Sequence, residues 1–555
     1  MCSRPTRPRA DPVHDTHEEA SDMRAPHRPR LAAVAVAVLA LASILALPVT
    51  EAAAQARGGT LKMSYPEPTH LNPAIVSGTP TGIPGVQLFA GLVLHDDKFQ
   101  PQPYLAERWT ISPDGRTYTF HLVKNATFHD GKPITSEDVK FSIETVKANH
   151  PFGVAMHRAL EAVETPNPST VVFRMSHPNP SFMSVVAPIL LPVLPKHVYG
   201  TGDDIKKHPA NQKPVGSGPF KFVEWQPGRH LILERFDKFF KPGRPYLDRV
   251  IFEYITDPAA RLAAIETGAI HLLPYNYVGV GNLKRVEQLA HLGVTTKGYE
   301  AIGPLFWLEI NLRKKELSDV RVRQALNHAL DKQLILKDIF LGYGKVADGP
   351  LVSASPFYNP KIRRYEYSLD KANKLLDEAG YKRGADGTRF KLVLDFIPGT
   401  ADTQSVGEYI REQAKKVGID MTLRASPDFP TWAGRMGRWE FDLSLDAVFN
   451  WPDPVVGVER TYISSNIKQA VWTNVMGYNN PKVDELFAQA QREQTLEKRR
   501  AIYHQVQDVL TAELPIIWLS EIGYTTVWNK DYDGIPTNIW GTMSPFDTVH
   551  WKKAK

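Results

Sequence analysis

Alternation of apolar and polar positions marks β-hairpins in the first half of this chain. Trp109 and Ile111 alternate with polar residues, Pro113-Asp114-Gly115 makes a turn, and Tyr118, Phe120 and Leu122 alternate again. Phe220, Phe222 and Trp225, the turn Gln226-Pro227-Gly228, then Leu231 and Leu233 predict a second hairpin. Between them the period changes: Thr135 and Ser136 precede Asp138, Val139, Ile143 and Val146, a helix start followed by one apolar face.

The second half is richer in helical periodicity. Ser318 or Asp319 can cap a helix whose apolar stripe is Val322, Ala325, Leu326, Ala329 and Leu330. Ser368 caps another through Ala372, Leu375, Leu376 and Ala379, and Gly380 supplies the left-handed residue that ends it. Phe390, Leu392 and Leu394 predict a strand, Glu408 to Val417 a helix, and Met421 with Leu423 a strand. A last helical region runs from Val483 to Leu514 with a break near Gln494 and Thr495, and Ile516 to Leu519 reads as a buried strand. Such alternation predicts α/β lobes with covered sheets. No repeat and no Gly/Ser linker separates the lobes, so the chain is expected to cross between them more than once, which makes a cleft with a hinge.

One apolar run stands outside this pattern. Leu31 to Leu47 follows Arg24, Arg28 and Arg30 and precedes Ala52, Ala53, Ala54, Gln55 and Ala56. A basic flank, an apolar segment and a small-residue exit are the parts of a secretory signal peptide. The run is shorter than the roughly 18 residues of a spanning helix, and no basic stop-transfer cluster follows. Residues 1–56 are therefore expected to be leader, with cleavage after Ala54 or Ala56 and Met23 as the start. The single cysteine, Cys2, lies before the run. The mature chain then has no disulfide, no thiol nucleophile and no acylatable cysteine of a lipoprotein, which points to the periplasm. Forty-three per cent hydrophobic content supplies the core for two or more domains. The net charge of +6 is spread in isolated groups such as Arg313-Lys314-Lys315 rather than a stripe, which argues against nucleic-acid binding.

Several motifs together carry a family resemblance. They are Gly58-Gly59-Thr60-Leu61 with Leu71-Asn72-Pro73; Pro103-Tyr104-Leu105-Ala106-Glu107-Arg108-Trp109; Phe128-His129-Asp130-Gly131-Lys132-Pro133; Gly216-Ser217-Gly218-Pro219-Phe220; and Val320-Arg321-Val322-Arg323-Gln324-Ala325-Leu326. From Gly58 to its end the chain resembles the family 5 extracellular solute-binding proteins of ABC transporters, the group of peptide, oligopeptide and nickel carriers. The resemblance implies a two-lobe α/β clamshell with mixed sheets and a ligand cleft at the hinge. Residues 57–304 plus 516–555 would form lobe I and residues 305–515 lobe II. It implies a monomer without cofactor that hands a small organic solute to an inner-membrane ABC permease.

The segment Phe449-Asn450-Trp451-Pro452-Asp453-Pro454 resembles a family stretch that usually reads Asp-Tyr-Pro-Asp-Pro, in which peptide carriers use the first Asp for the ligand's α-ammonium. Here Asn450 stands in its place and cannot neutralise a cation. Dipeptide carriers also place an arginine after the strand corresponding to Leu392 to Phe396, where this chain has Ile397-Pro398. A simple zwitterionic dipeptide is thus disfavoured, and longer or modified peptides, opine-like compounds, sugar derivatives and metal chelates stay open. The candidate ligand residues are Asn450, Trp451, Asp453, Phe449, Glu67, Trp432 and Trp307, with Arg435 and Arg438 beside Trp432. Each has a structural alternative: core aromatic, turn former or exposed helix.

An enzyme is the rival class. No Gly-x-Ser-x-Gly elbow, His-Glu-x-x-His helix or P-loop occurs, and Gly216-Ser217-Gly218 lacks the lysine of a phosphate loop. A periplasmic hydrolase is left as the distant alternative. His121, His129, His150 and His157 cluster in sequence without metal-ligand spacing, and no metal site is expected.

Overall fold

The computed structural model describes residues 57–398 and 401–552; the apolar run Leu31 to Leu47 lies outside them. Two large mixed sheets organise the chain. The first has seven strands in the order Leu292–Thr295, Thr526–Asn529, Leu272–Leu273, Thr60–Ser64, Arg249–Glu253, His230–Arg235 and Phe220–Gln226. The second has six, in the order Gly344–Val346, Ile516–Ile522, Pro304–Ile310, Leu443–Phe449, Phe390–Phe396 and Ile419–Arg424. A four-stranded antiparallel sheet carries the expected hairpin Ala106–Ile111 and Thr117–Leu122 beside Thr170–Met175 and Leu160–Asn167. This is the two-lobe α/β clamshell.

The chain passes between the large sheets twice. Tyr299 to Pro304 leads from the first into the second, and Gly523 to Thr525 leads back. Ile516–Ile522 belongs to the second sheet, because its apolar first residues pair with the buried strand Pro304–Ile310. The chain therefore re-enters the first sheet at Thr526 rather than at Ile516.

Register gives the second sheet two distinct faces. Trp307 stands opposite Asp446 and Trp518, Glu309 opposite Ser444, and Leu305 opposite Val448. That face packs on Tyr462 and on the helices Pro481–Arg492 and Leu496–Glu513 through Phe487, Tyr503 and Leu510. The opposite face, with Leu308, Leu445 and Ile517, packs on Val322, Leu326, Leu376 and Ile410. A two-residue period sets which side chain meets which layer, and the result is a buried core on both sides of the sheet.

Helix ends follow the local chemistry. The Asp138 carboxylate accepts the backbone N–H and the hydroxyl of Thr135, each at 2.8 Å, at the start of Ser136–Asn149. The Ser368 hydroxyl accepts the Lys371 N–H at 3.2 Å, and Gly380, at φ +91°, turns the chain after Leu369–Glu378. The helix expected from Glu408 begins at Ala401, because its first turns are polar and carry no apolar stripe to announce them. Val406, Ile410 and Ala414 form its buried face, and Val417 follows its end, also buried.

Candidate functional site

A cavity of about 220 Å³ lies where three parts of the chain meet. Ser77, Gly78, Thr79 and Pro80, at the start of the helix Thr79–Leu88, form one wall, and Phe152 forms a second. The third comes from the end of the strand Leu443–Phe449 with Trp451, Arg460 and Trp472.

Two tryptophans of this wall have left-handed backbone, Trp451 at φ +56° and Trp472 at φ +57°. A non-glycine residue there costs about 1–3 kcal/mol, and such strain persists only where the surroundings hold it. The surroundings are visible. The Trp451 N–H donates to the Ile302 carbonyl at 3.2 Å, and its ring packs on Phe152, Phe449 and Trp540 with centroids 5.9, 6.0 and 6.2 Å away. The Trp472 indole N–H donates to Asp446 at 3.0 Å, and its ring stacks on Phe429 at 5.6 Å. Aromatic walls with few polar groups characterise small-molecule sites.

Arg460 on this wall belongs to a buried charge cluster. Arg460, in the short helix Glu459–Tyr462, places its guanidinium 4.9 Å from the Phe152 ring centroid and donates through Nη1 to the Trp472 carbonyl. Its Nε is buried without a hydrogen-bond partner among the described residues. Asp446 accepts the Ala447 N–H at 2.6 Å besides the Trp472 indole. Burial raises the Asp446 pKa to about 7. Burial, and then the nearby Asp446, raise that of Glu309 well above the carboxylate range. Arg460 is lowered to about 10, by burial against the opposing pull of Asp446 and Glu309, and stays charged at neutral pH.

Of the seven candidates read from sequence, Phe449 and Trp451 line this cavity together. Asn450 stands between them but turns away: its Oδ1 accepts the Val352 N–H at 2.8 Å and its Nδ2 donates to the Pro350 carbonyl at 3.0 Å. Its backbone N–H donates to Gly303, so Asn450 ties the crossing segment to the second sheet. Asp453 caps Pro454–Gly457 through the Val455 N–H and forms a two-pronged ion pair with Arg499. Glu67 accepts from the Trp225 indole and the Gly228 N–H and fastens the second hairpin's turn. Trp432 is buried with its indole N–H on the Ser444 hydroxyl at 3.1 Å, and Trp307 is buried against Trp518 and Asp446 in the sheet face. Arg435 pairs with Asp395 and Arg438 with Glu440. Close sequence spacing grouped Phe449, Asn450, Trp451 and Asp453, but their side chains leave the backbone in different directions.

Phe152, Arg460, Trp472 and the Ser77–Pro80 turn were not picked out by sequence. A signal for the buried cluster was present, since Glu309 and Asp446 interrupt otherwise apolar strands. The histidines are structural: His129 Nδ1 accepts the Gly216 N–H at 3.0 Å, while His150 and His157 are buried with pKa values lowered to about 4 and about 3 by desolvation. No group of three or more metal-ligating side chains occurs among the described residues. No helix among them is long and apolar enough to cross a membrane.

Residues 100–469 match the family described as bacterial extracellular solute-binding proteins, family 5 middle. The chain belongs to that family. The oligopeptide-binding protein AppA of Bacillus subtilis is 29% identical to this family 5 protein over 490 residues, covering 83% of this chain and 86% of AppA. The solved structure of AppA in complex with a nonapeptide superposes with a TM-score of 0.77 and 26% identity, covering 90% of this chain and 100% of that one. NikZ from Campylobacter jejuni in complex with Ni(L-His) superposes with a TM-score of 0.75 and 26% identity, covering 88% and 97%. The family consists of solute-binding proteins rather than enzymes.

Proposed function

We propose that this family 5 protein is the periplasmic substrate-binding component of an ABC importer, and that it holds a peptide or peptide-like solute against Trp451, Trp472 and Phe152. The carrying observation is the cavity itself: its walls come from the helix start at Thr79, from Phe152 and from the end of a second-sheet strand, so closing those parts on one another encloses a ligand. Closure lets the lobe surfaces report loading to the permease, because ligand stabilises the closed state by its differential affinity for it. Export by the leader and release as an unlipidated monomer complete the reading.

Simple dipeptides are disfavoured. Asn450 has both polar atoms engaged by the chain and offers no carboxylate to an α-ammonium, and Ile397 packs beside Trp432 rather than presenting a forked donor. Mass spectrometry of solute released from the purified protein, followed by calorimetry on stripped protein, tests both statements. A retained peptide-like solute with tight rebinding is expected. Turnover of the solute, or tight binding of free dipeptides, contradicts the reading.

A further inference from the structure

The cavity carries a single charged side chain on its wall, Arg460, and the acids that act on it stand off the wall. Arg460 is 9% exposed, makes no ion pair among the described residues, and has a buried Nε with no acceptor. Asp446 and Glu309, the acids nearest to it in charge, are not on the cavity wall. The Asp446 carboxylate is already occupied by the Ala447 N–H and the Trp472 indole. Burial holds Glu309 in its protonated form and leaves Asp446 only partly ionised at neutral pH, so together they compensate the guanidinium charge incompletely. A cationic ligand group therefore finds no carboxylate on the cavity wall. An anionic one finds the guanidinium among aromatic side chains, where charge-assisted hydrogen bonds are strong.

Size narrows the ligand further. About 220 Å³ is below the roughly 300–1,000 Å³ of sites that hold a whole drug-sized molecule, so the space suits one end group. The rings of Phe152, Trp451 and Trp472 favour apolar or aromatic carbon next to that end. Resting on the reading of this protein as a solute carrier, we propose that Arg460 is its specificity-determining residue, and that the cavity receives the carboxylate end of an organic solute whose adjoining group is apolar or aromatic. The guanidinium's planar fork matches a carboxylate in a way lysine does not.

The test uses matched acid and amide probes on stripped protein: phenylacetate against phenylacetamide, and Ala-Ala-Phe against its C-terminal amide. Solute retained from a bacterial metabolite extract is identified in parallel by mass spectrometry. Wild-type protein is expected to bind the acids about 10- to 100-fold more tightly than the amides, and Arg460→Gln to bring the acid-to-amide ratio close to one. Arg460→Lys should recover only part of it. The acid-to-amide ratio on wild-type protein keeps the test independent of how well the variants fold. Equal affinity for acid and amide, or a retained solute without an acidic group, overturns the role of Arg460 and leaves the carrier reading standing. No retained solute and no binding of any probe overturns both.

Discussion

Replacing Asp453 by asparagine should unfold this protein far more readily without touching its ligand. Arg499 Nη1 and Nη2 donate to the two Asp453 oxygens at 2.9 and 3.0 Å, and both side chains are 4% exposed. The same guanidinium donates from Nε to the Ala490 carbonyl at 2.9 Å and lies 4.9 Å from the Phe357 ring centroid. Asp453→Asn keeps an acceptor for the Val455 N–H, so the cap survives and the change isolates the charge. A buried arginine without its anion costs about 3–5 kcal/mol. Urea and thermal unfolding of the purified variant should show a loss of that size, with affinity for the retained solute unaltered in the fraction that stays folded. Arg499→Met in the same background should restore much of the loss, because removing both charges leaves no orphan. A loss below about 1 kcal/mol would refute the buried-charge argument. Intact stability combined with lost solute binding would instead make Asp453 a ligand residue.

Three further outcomes follow from other groups. Asp446 has its pKa raised from the ordinary 3.8 to about 7, so the native state binds its proton more readily than the unfolded state and this group's contribution to stability falls as pH rises across that interval; Asp446→Asn should therefore lose less stability than wild type between pH 5 and pH 8, and parallel urea-midpoint curves would contradict this. His157 works in the opposite sense: burial lowers its pKa from 6.5 to about 3, so the stability of keeping it neutral is complete above about 6.5 and drains away as pH falls below that value. His157→Phe should show a smaller drop in midpoint between pH 7 and pH 5. Gly303→Ala should destabilise by about 1–3 kcal/mol, because φ is +54° and a Cβ would come within 2.9 Å of Asn450 Cβ and 3.0 Å of a Val352 methyl at the crossing between sheets; an unchanged thermal midpoint would show that the crossing accommodates a side chain.

Much of the architecture was legible because it depends on local period. The two hairpins, the capped helices at Ser136 and Leu369, and the break between Arg492 and Leu496 lie where alternation, caps and turn residues placed them. The helix Thr79–Leu88 is a contrary example. It contains Gly82, Pro84 and Gly85, residues that penalise an isolated helix, yet eight of its residues are buried and tertiary packing outweighs propensity. Its start forms a wall of the cavity, so a sequence reading that gave this stretch no helix also missed that part of the site. For the candidates around Trp451 the sequence located the right segment and left the direction of each side chain undecided. Asn450 and Trp451 are neighbours, but Trp451's left-handed backbone sends its ring to Phe152 while Asn450 bonds Val352 and Pro350.

The sequence by itself determined the family, the α/β alternation and the order of strands and helices, because these rest on periodicity and on motifs contiguous in the chain. Only the tertiary structure decided which residues enclose the cavity. Ser77, Phe152, Arg460 and Trp472 are brought together across long stretches of chain by sheet register and by the crossings at Gly303 and Gly523. Whether a buried arginine has an anion beside it is settled by that packing, since charge pairing acts through space and burial decides how much each missing partner matters.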